Sequence, residues 1–303
     1  MKTPRQSATL QEIVEFYRTS QVFHRLSASS QRDYERHLDS VCDTVVEGKR
    51  LGAYRNKHIK VRHLTAAYEL WLDDGVRTAN YRKSVLSAAW THAMRYDVMT
   101  HNPVSLIKTI GTKPRRQVWE REHVRRFLDF AYSDFRWRSI GLIVHMAYEW
   151  GQRVGDMRLL DWSSVDLSSC RLDLTQSKRN ADVKLPIGNG LCSMLRQQKE
   201  EFGFQSYIAP FPNPSNGRYK PYSKSQIGHD INHVLVYANL PHELTAMDLR
   251  RTAVTEMMEG GVDLVGIMQV TGHQNVASVK PYMVNTLSGA TKALAARGNK
   301  EDD

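Results

Sequence analysis

The chain has 303 residues, a formal net charge of +10 and 41% apolar residues, enough for two domains with real cores. Its polar start, Met1-Lys2-Thr3-Pro4-Arg5-Gln6, does not read as a secretory leader. The most apolar stretch, residues 140–151, carries His145 and Glu149 and is too short to span a bilayer, so a soluble protein inside the cell is expected.

Residues 9–26 carry Leu10, Ile13, Val14, Phe16 and Tyr17 at helical spacing. Ser29-Ser30 offers an N-cap for a second helix over 31–46, with Tyr34, Leu38, Val41 and Val45 on one face. Residues 47–62 form a basic, glycine-containing connection. Helical patterns resume over 65–73 and 78–96, the latter with Tyr81, Val85, Ala88, Ala89 and His92 on one face. Asn102-Pro103 ends the region. The first domain, residues 1–110, thus reads as four or five helices without strands. Residues 111–118, Gly-Thr-Lys-Pro-Arg-Arg-Gln-Val, lack an apolar period and read as a linker. Lys113, Arg115 and Arg116 in it are candidates for phosphate contact, as are Arg82 and Lys83 of the preceding helical stretch.

Beyond the linker, residues 120–133 and 140–150 are helical, the second ending at Gly151, and a short helix follows over 155–160. The texture then changes. Residues 164–167, 170–174 and 183–187 are short, apolar or alternating, and separated by polar turns, which predicts a small antiparallel sheet. Helices return over 190–201, 223–238, 246–259 and 263–270, and residues 287–297 form a short amphipathic helix in a tail that starts at 286. No internal repeat and no phosphate-cradling glycine-rich loop is found. The three cysteines, Cys42, Cys170 and Cys192, are far apart and show no zinc spacing. They read as buried small hydrophobes rather than as a disulfide or a metal site.

The charge is unevenly spread. Residues 1–118 hold 20 Lys+Arg against 11 Asp+Glu, and the remainder 22 against 21. A basic module beside a near-neutral one suggests a domain that grips a polyanion, joined to a second domain. Charge alone does not single out nucleic acid.

The most telling segment is 245–261. Leu249, Ala253 and Met257 recur every four residues and face the core, Arg250 lies on another stripe, and Gly260-Gly261 stops the helix. A second helix with Leu264, Ile267 and Met268 inward leads to Thr271-Gly272-His273, and Tyr282 stands nine residues beyond that histidine. Taken singly these are bland: a packing tyrosine, a helix-surface arginine, a residue after a glycine cap. Together they resemble the C-terminal signature of the tyrosine site-specific recombinases, or phage integrases. That signature is His-x-x-Arg on a helix, then Gly-His, then a nucleophilic tyrosine. Here it reads Met247-x-x-Arg250, Gly272-His273 and Tyr282, with the usual 23 residues between Arg250 and His273. Upstream, Gly151-Gln152-Arg153-Val-Gly-Asp156 is similar to the family's Gly-Leu-Arg-x-x-Glu, and Gln176-Ser-Lys178 to its Gln-x-Lys-Thr. Asp156 reads as structural, orienting the neighbouring arginine. The resemblance spans about residues 8–285.

The resemblance implies a mainly α fold: an all-helical, SAM-like core-binding domain and an α-rich catalytic domain, 119–285, with a small three-stranded antiparallel sheet. It implies cleavage and rejoining of DNA attachment sites through a 3′-phosphotyrosine at Tyr282, with integration or excision of a mobile element as the expected role. No cofactor, metal or ATP is expected, four protomers assemble on two sites, the tail contacts a neighbour, and accessory bending or directionality proteins are conceivable partners. Arg153 and Arg250 form the phosphate clamp, His273 donates to the same oxygens, and Lys178 protonates the leaving 5′-oxygen. The chemistry needs those residue types: guanidinium forks pair bidentately with phosphate and never deprotonate, and a lysine is a suitable general acid. Met247 departs from the pattern, because a thioether transfers no proton. His242 and His145 are the candidates to replace the missing histidine. The competing readings are a non-catalytic DNA-binding protein of the same fold, a Xer-like resolvase, and a type IB topoisomerase.

Overall fold

Capping residues decide where the first helices begin. In this computed structural model, which describes residues 3–5, 7–113, 115–177, 181–283 and 287–298 (the side chains of 288, 293 and 296–298 excepted), helix α1 is Leu10–Arg18. Thr9 Oγ1 accepts the Glu12 N–H at 3.2 Å and the Glu12 carboxylate accepts the Thr9 N–H at 2.7 Å, a reciprocal capping box. These bonds hold the Glu12 carboxyl below its usual range. The single helix expected over 9–26 is broken, because Ser20 caps a new short helix, α2, Gln21–His24. Helix α3, Ala28–Asp43, is capped by Ser27 and not by Ser29-Ser30.

A second departure follows α3. Val45–Val46 (β1) and Lys49–Arg50 (β2) pair as an antiparallel ribbon, so the first unit is not free of strands. The turn residues Glu47 and Gly48 both have positive φ, 50° and 75°. A glycine suits that turn, and Val45 leaves the helical stripe to stand 53% exposed. Helices α4, Val61–Leu72, and α5, Val76–Met94, complete the unit. α4 starts earlier than its apolar period suggests, since His63 Nδ1 accepts the Lys60 N–H. Leu10, Leu38, Leu64, Trp71, Leu86 and Trp90 share its dry core.

The chain divides into two compact units, Met1–Lys113 and Pro114–Asp303. The second contains α6 Arg121–Ser133, α7 Phe135–Glu149, α8 Val154–Met157, β3 Val165–Asp166, β4 Arg171–Thr175, β5 Asp182–Pro186, α9 Asn189–Phe202, α10 Lys224–Tyr237, α11 Ala246–Glu259, α12 Leu264–Thr271 and α13 Leu287–Gly298. α7 starts five residues before the expected boundary because Asp134 accepts the Arg136 N–H. The sheet order is β3-β4-β5, all antiparallel, with Leu172 opposite Leu185 and Leu174 opposite Val183. The expected mainly helical fold with one small three-stranded sheet is therefore present. Phe127, Ile140, Leu172, Leu185, Leu195 and Leu249 belong to one core. A separate apolar cluster of Val254, Ile267 and Val279 lies beneath Tyr282.

The cysteine reading needs correction. Cys42 is a free, buried thiol as expected, but Cys170 and Cys192 are joined by a disulfide. They are 22 residues apart in sequence, and only the hairpin return brings them together. The Ile187 N–H donates to the Cys170 carbonyl at 2.8 Å, so β5 delivers the chain into α9 beside the start of β4.

Candidate active site

The site is assembled around the first turn of α11. The Asp248 carboxylate is wholly buried and caps the helix by accepting the Thr245 N–H and hydroxyl at 3.0 and 2.8 Å. It also accepts Arg115 Nε and Nη2 at 2.8 and 2.7 Å and Arg251 Nη1 at 3.0 Å. Trp119 adds its backbone N–H to Thr252 Oγ1 and its indole N–H to the Thr245 carbonyl. Residues 115–119 and α11 are thereby tied together, which fixes Arg250, two residues beyond Asp248.

Arg250 is only 3% exposed, so its charge must be met by acceptors. Nη1 donates to the Gly151 carbonyl at 3.1 Å and Nη2 to the Thr271 carbonyl at 2.6 Å. Nη2 also lies 3.1 Å from His273 Nε2. Gly272 ends α12 in the left-handed conformation, φ 67°, and turns the chain so that His273 faces back. The Thr271 hydroxyl donates to the Ile267 carbonyl at 2.6 Å and is 2.6 Å from His273 Nδ1. With its one proton committed, that hydroxyl accepts from Nδ1–H.

Tyr282 closes the cluster. It ends a short 3-10 turn, Lys280–Tyr282, supported by the Val254–Ile267–Val279 cluster. Its ring centroid is 5.2 Å from that of His273, and the Arg250 guanidinium carbon is 5.6 Å from it, within cation–π range. Tyrosine, histidine and arginine thus meet within one subunit.

Arg153 approaches from the other side. Gly151, with φ 58°, ends α7, and a Cβ there would stand 3.2 Å from the Ala253 Cβ. Arg153 then precedes α8, donates Nη1 to Gln176 Oε1 at 2.9 Å and lies 3.8 Å from Asp156 Oδ2. Asp156 is buried and its nearer partner is Ser177, through both backbone N–H and hydroxyl. Besides lying beside the arginine, Asp156 braces the strand end after β4. Lys178, the expected general acid, lies outside the described residues.

Met247 is 79% exposed on the first turn of α11. His242 is a surface residue 3.7 Å from Glu243. His145 bonds to the buried Tyr132 hydroxyl at 2.9 Å and sits 3.5 Å from Glu149. Burial lowers its pKa to about 4 and pushes the Glu149 carboxyl up, so burial outweighs the attraction between them. Of the residues read as DNA contacts, Lys113 and Arg116 are exposed. Arg82 pairs with Asp74 at 2.5 Å, Lys83 donates to the Ile107 carbonyl, and Arg115 is committed to Asp248.

Sequence reasoning passed over Asp248, Gln152 and Thr271, all buried polar residues at the centre of the site. A signal existed for the first: Thr245-x-x-Asp248 ahead of an apolar stripe is a capping-box pattern. Among the described residues, no group of three or more His, Cys, Asp or Glu side chains is arranged to hold a metal, and no helix is long and apolar enough to cross a membrane.

The fold has solved counterparts. A lambda integrase dimer bound to a COC′ core site superposes with TM-score 0.74 at 19% identity, covering 93% of this chain and 80% of that one. The Tn1549 transposon integrase in complex with circular intermediate DNA superposes with TM-score 0.72 at 16% identity, covering 95% of this chain and 99% of that one. The architecture is thus that of the DNA-bound integrases, an α-rich class with one small sheet. Residues 117–287 match the phage integrase family, and the chain belongs to it. Among curated relatives, tyrosine recombinase XerC of Pediococcus pentosaceus is 23% identical over 68% of this chain and 71% of its own length. XerC of Xanthomonas campestris pv. campestris is 20% identical over 92% and 85%. The integrase of Enterobacteria phage 434 is 26% identical over 50% of this chain and 44% of that protein.

Proposed function

We propose that this chain is a site-specific recombinase that cuts and rejoins duplex DNA through a 3′-phosphotyrosine at Tyr282, integrating or excising a mobile element. The observation that carries this reading is the meeting of the Tyr282 ring with Arg250 and His273 inside one subunit. Arg250 and Arg153 neutralise the charge that spreads over the non-bridging oxygens in the transition state, where such stabilisation raises rate. The phenol gives up its proton to water as its oxygen attacks phosphorus, the bond to the 5′-oxygen breaks, and Lys178 supplies the proton to that leaving oxygen. The partner strand's 5′-hydroxyl then attacks the phosphotyrosine, restoring the phosphodiester and the tyrosine. The bond energy is kept throughout. One structural neighbour is a lambda integrase tetramer bound to a Holliday junction, and a tetramer on paired sites is the assembly proposed here.

Met247 carries a second reading, a DNA-binding protein of the same fold with impaired catalysis. One experiment separates them. The protein is incubated with a pool of nicked duplexes from its source DNA, and covalent complexes are recovered and sequenced. Wild type is expected to yield adducts at a defined site and Tyr282→Phe none. Binding without adducts in the wild type supports the impaired copy, and adducts that persist in Tyr282→Phe overturn the nucleophile.

A further inference from the structure

Two glutamines are wholly buried in the site, and no step above uses them. Gln152 follows the Gly151 turn, and Gln176 follows β4. Gln176 Nε2 donates to Gln152 Oε1 at 2.5 Å and to the Thr271 carbonyl at 2.8 Å, while its Oε1 accepts Arg153 Nη1 at 2.9 Å. Gln152 Nε2 donates to the Val270 and Trp150 carbonyls at 2.6 and 3.0 Å. The Thr271 carbonyl also accepts Arg250 Nη2 at 2.6 Å. An unbroken line of hydrogen bonds therefore runs from Arg153 through Gln176 and Thr271 to Arg250.

The amide of Gln176 closes that line by accepting at one end and donating at the other. Leucine has neither donor nor acceptor, and a glutamate at 176 would accept from Arg153 but point a carboxylate at the Thr271 carbonyl. The backbone is fitted to the same amide: a Cβ at Gly272 would stand 2.6 Å from Gln176 Nε2. Gln152 stands where the family motif that this stretch resembles has leucine, so its hydrogen bonds belong to this chain rather than to the pattern.

We propose that the Gln152–Gln176 pair is a positioning device that holds the two arginines in one register. Gln176, two residues ahead of Lys178 in sequence, carries that register to the end of β4. Neither glutamine touches the phosphate; each acts through Arg153, Arg250 and the end of α12. The proposal rests on the reading of the two arginines as a phosphate clamp. A buried polar network acts as a unit, and a displacement of about 1 Å at reacting groups is worth about 10²-fold in rate.

The test uses the full chain as wild type, Gln176→Leu, Gln176→Glu and Gln152→Leu. The substrate is a nicked duplex recovered as an adduct in the experiment above. Gln176→Leu is expected to slow single-turnover adduct formation about 10²-fold and Gln152→Leu about tenfold, with Kd for the duplex within about threefold of wild type. Gln176→Glu, which keeps the acceptor for Arg153, is expected to fall between wild type and Gln176→Leu. Hydrogen exchange on the DNA-free proteins gives a readout independent of activity. Amides at 175–177 and 270–273 are expected to lose protection together in both leucine variants. Adduct rates within about threefold of wild type, or a rate loss matched by the loss of DNA binding, overturn the proposal. So does lost protection confined to the mutated segment. If wild type itself forms no adduct, the recombinase reading falls, and the exchange data alone decide whether the glutamines couple the two segments.

Discussion

Residues 1–113 and the site in residues 114–303 handle charge in opposite ways. In the first unit, Arg50 pairs with Asp43, Arg62 with Glu47, Arg18 with Asp39 and Arg82 with Asp74, and in each pair the carboxylate is more than half exposed. These contacts lie outside a dry core of leucine, tyrosine and tryptophan. In the site, Asp248 and Arg250 are inside the protein, and each is met by several partners. Exposed pairs are screened and contribute little individually. Buried ones are set by geometry, and removing one partner strands the others. Substitutions in the first unit should therefore act in small, additive, salt-sensitive steps. Those in the site should act steeply and together.

The sharpest way to break that contrast is Arg250→Lys. An ammonium cannot span the Gly151 and Thr271 carbonyls while also forking onto a phosphate. The adduct rate is expected to fall by about 10²–10³, and a fall of less than about tenfold in a single-turnover assay would mean that burial does not govern this residue. Met247→His runs the other way. The position is exposed on the first turn of α11, so an imidazole ring fits. Restored proton-transfer help is expected to raise the cleavage rate on a suicide duplex toward about 10²-fold, with DNA affinity unchanged. A rate that stays level or drops removes this explanation of the missing histidine.

His145 sharpens the comparison through stability. Its pKa is lowered to about 4 by burial, so the ring is neutral in the native state and charged in the unfolded state between about pH 4 and 6.5. Across that window the unfolded chain binds more protons. The stabilisation is complete above about pH 6.5 and is lost as pH falls toward 4. The loss is at most about 3 kcal/mol. Tm should fall over this range more steeply in wild type than in His145→Gln, which keeps a hydrogen bond for Tyr132. Parallel pH profiles would assign the acid sensitivity to other groups. The smallest effect belongs to the exposed Lys113. If it meets a phosphate, Lys113→Ala should weaken binding equally on all sequences and lower the salt slope by about 1. A sequence-dependent effect would instead make it a base contact.

Elements with a strong local signal were legible. The α11 bounds, Ala246–Glu259, coincide with the range read from an apolar stripe and a terminal Gly-Gly. The three-stranded sheet was visible from alternation and polar turns. Less legible were breaks made by one side chain, such as Ser20 starting α2, because apolar spacing continues across them. The β1–β2 ribbon was missed because two-residue strands carry no period. Arg82, Lys83 and Arg115 were read as free cations, since a linear pattern does not show that Asp74, the Ile107 carbonyl and Asp248 receive them.

By itself, then, the sequence determined the family, the mainly helical class, and which arginines, histidine and tyrosine are candidates for the chemistry. Periodicity, caps and motif spacing are local properties, and a chain carries them before it folds. Tertiary structure decided the rest: the Cys170–Cys192 link, the burial of Arg250, the contact of His273 with Thr271, and the glutamine pair between the arginines. Each depends on groups far apart in sequence being forced to satisfy one another once water is excluded.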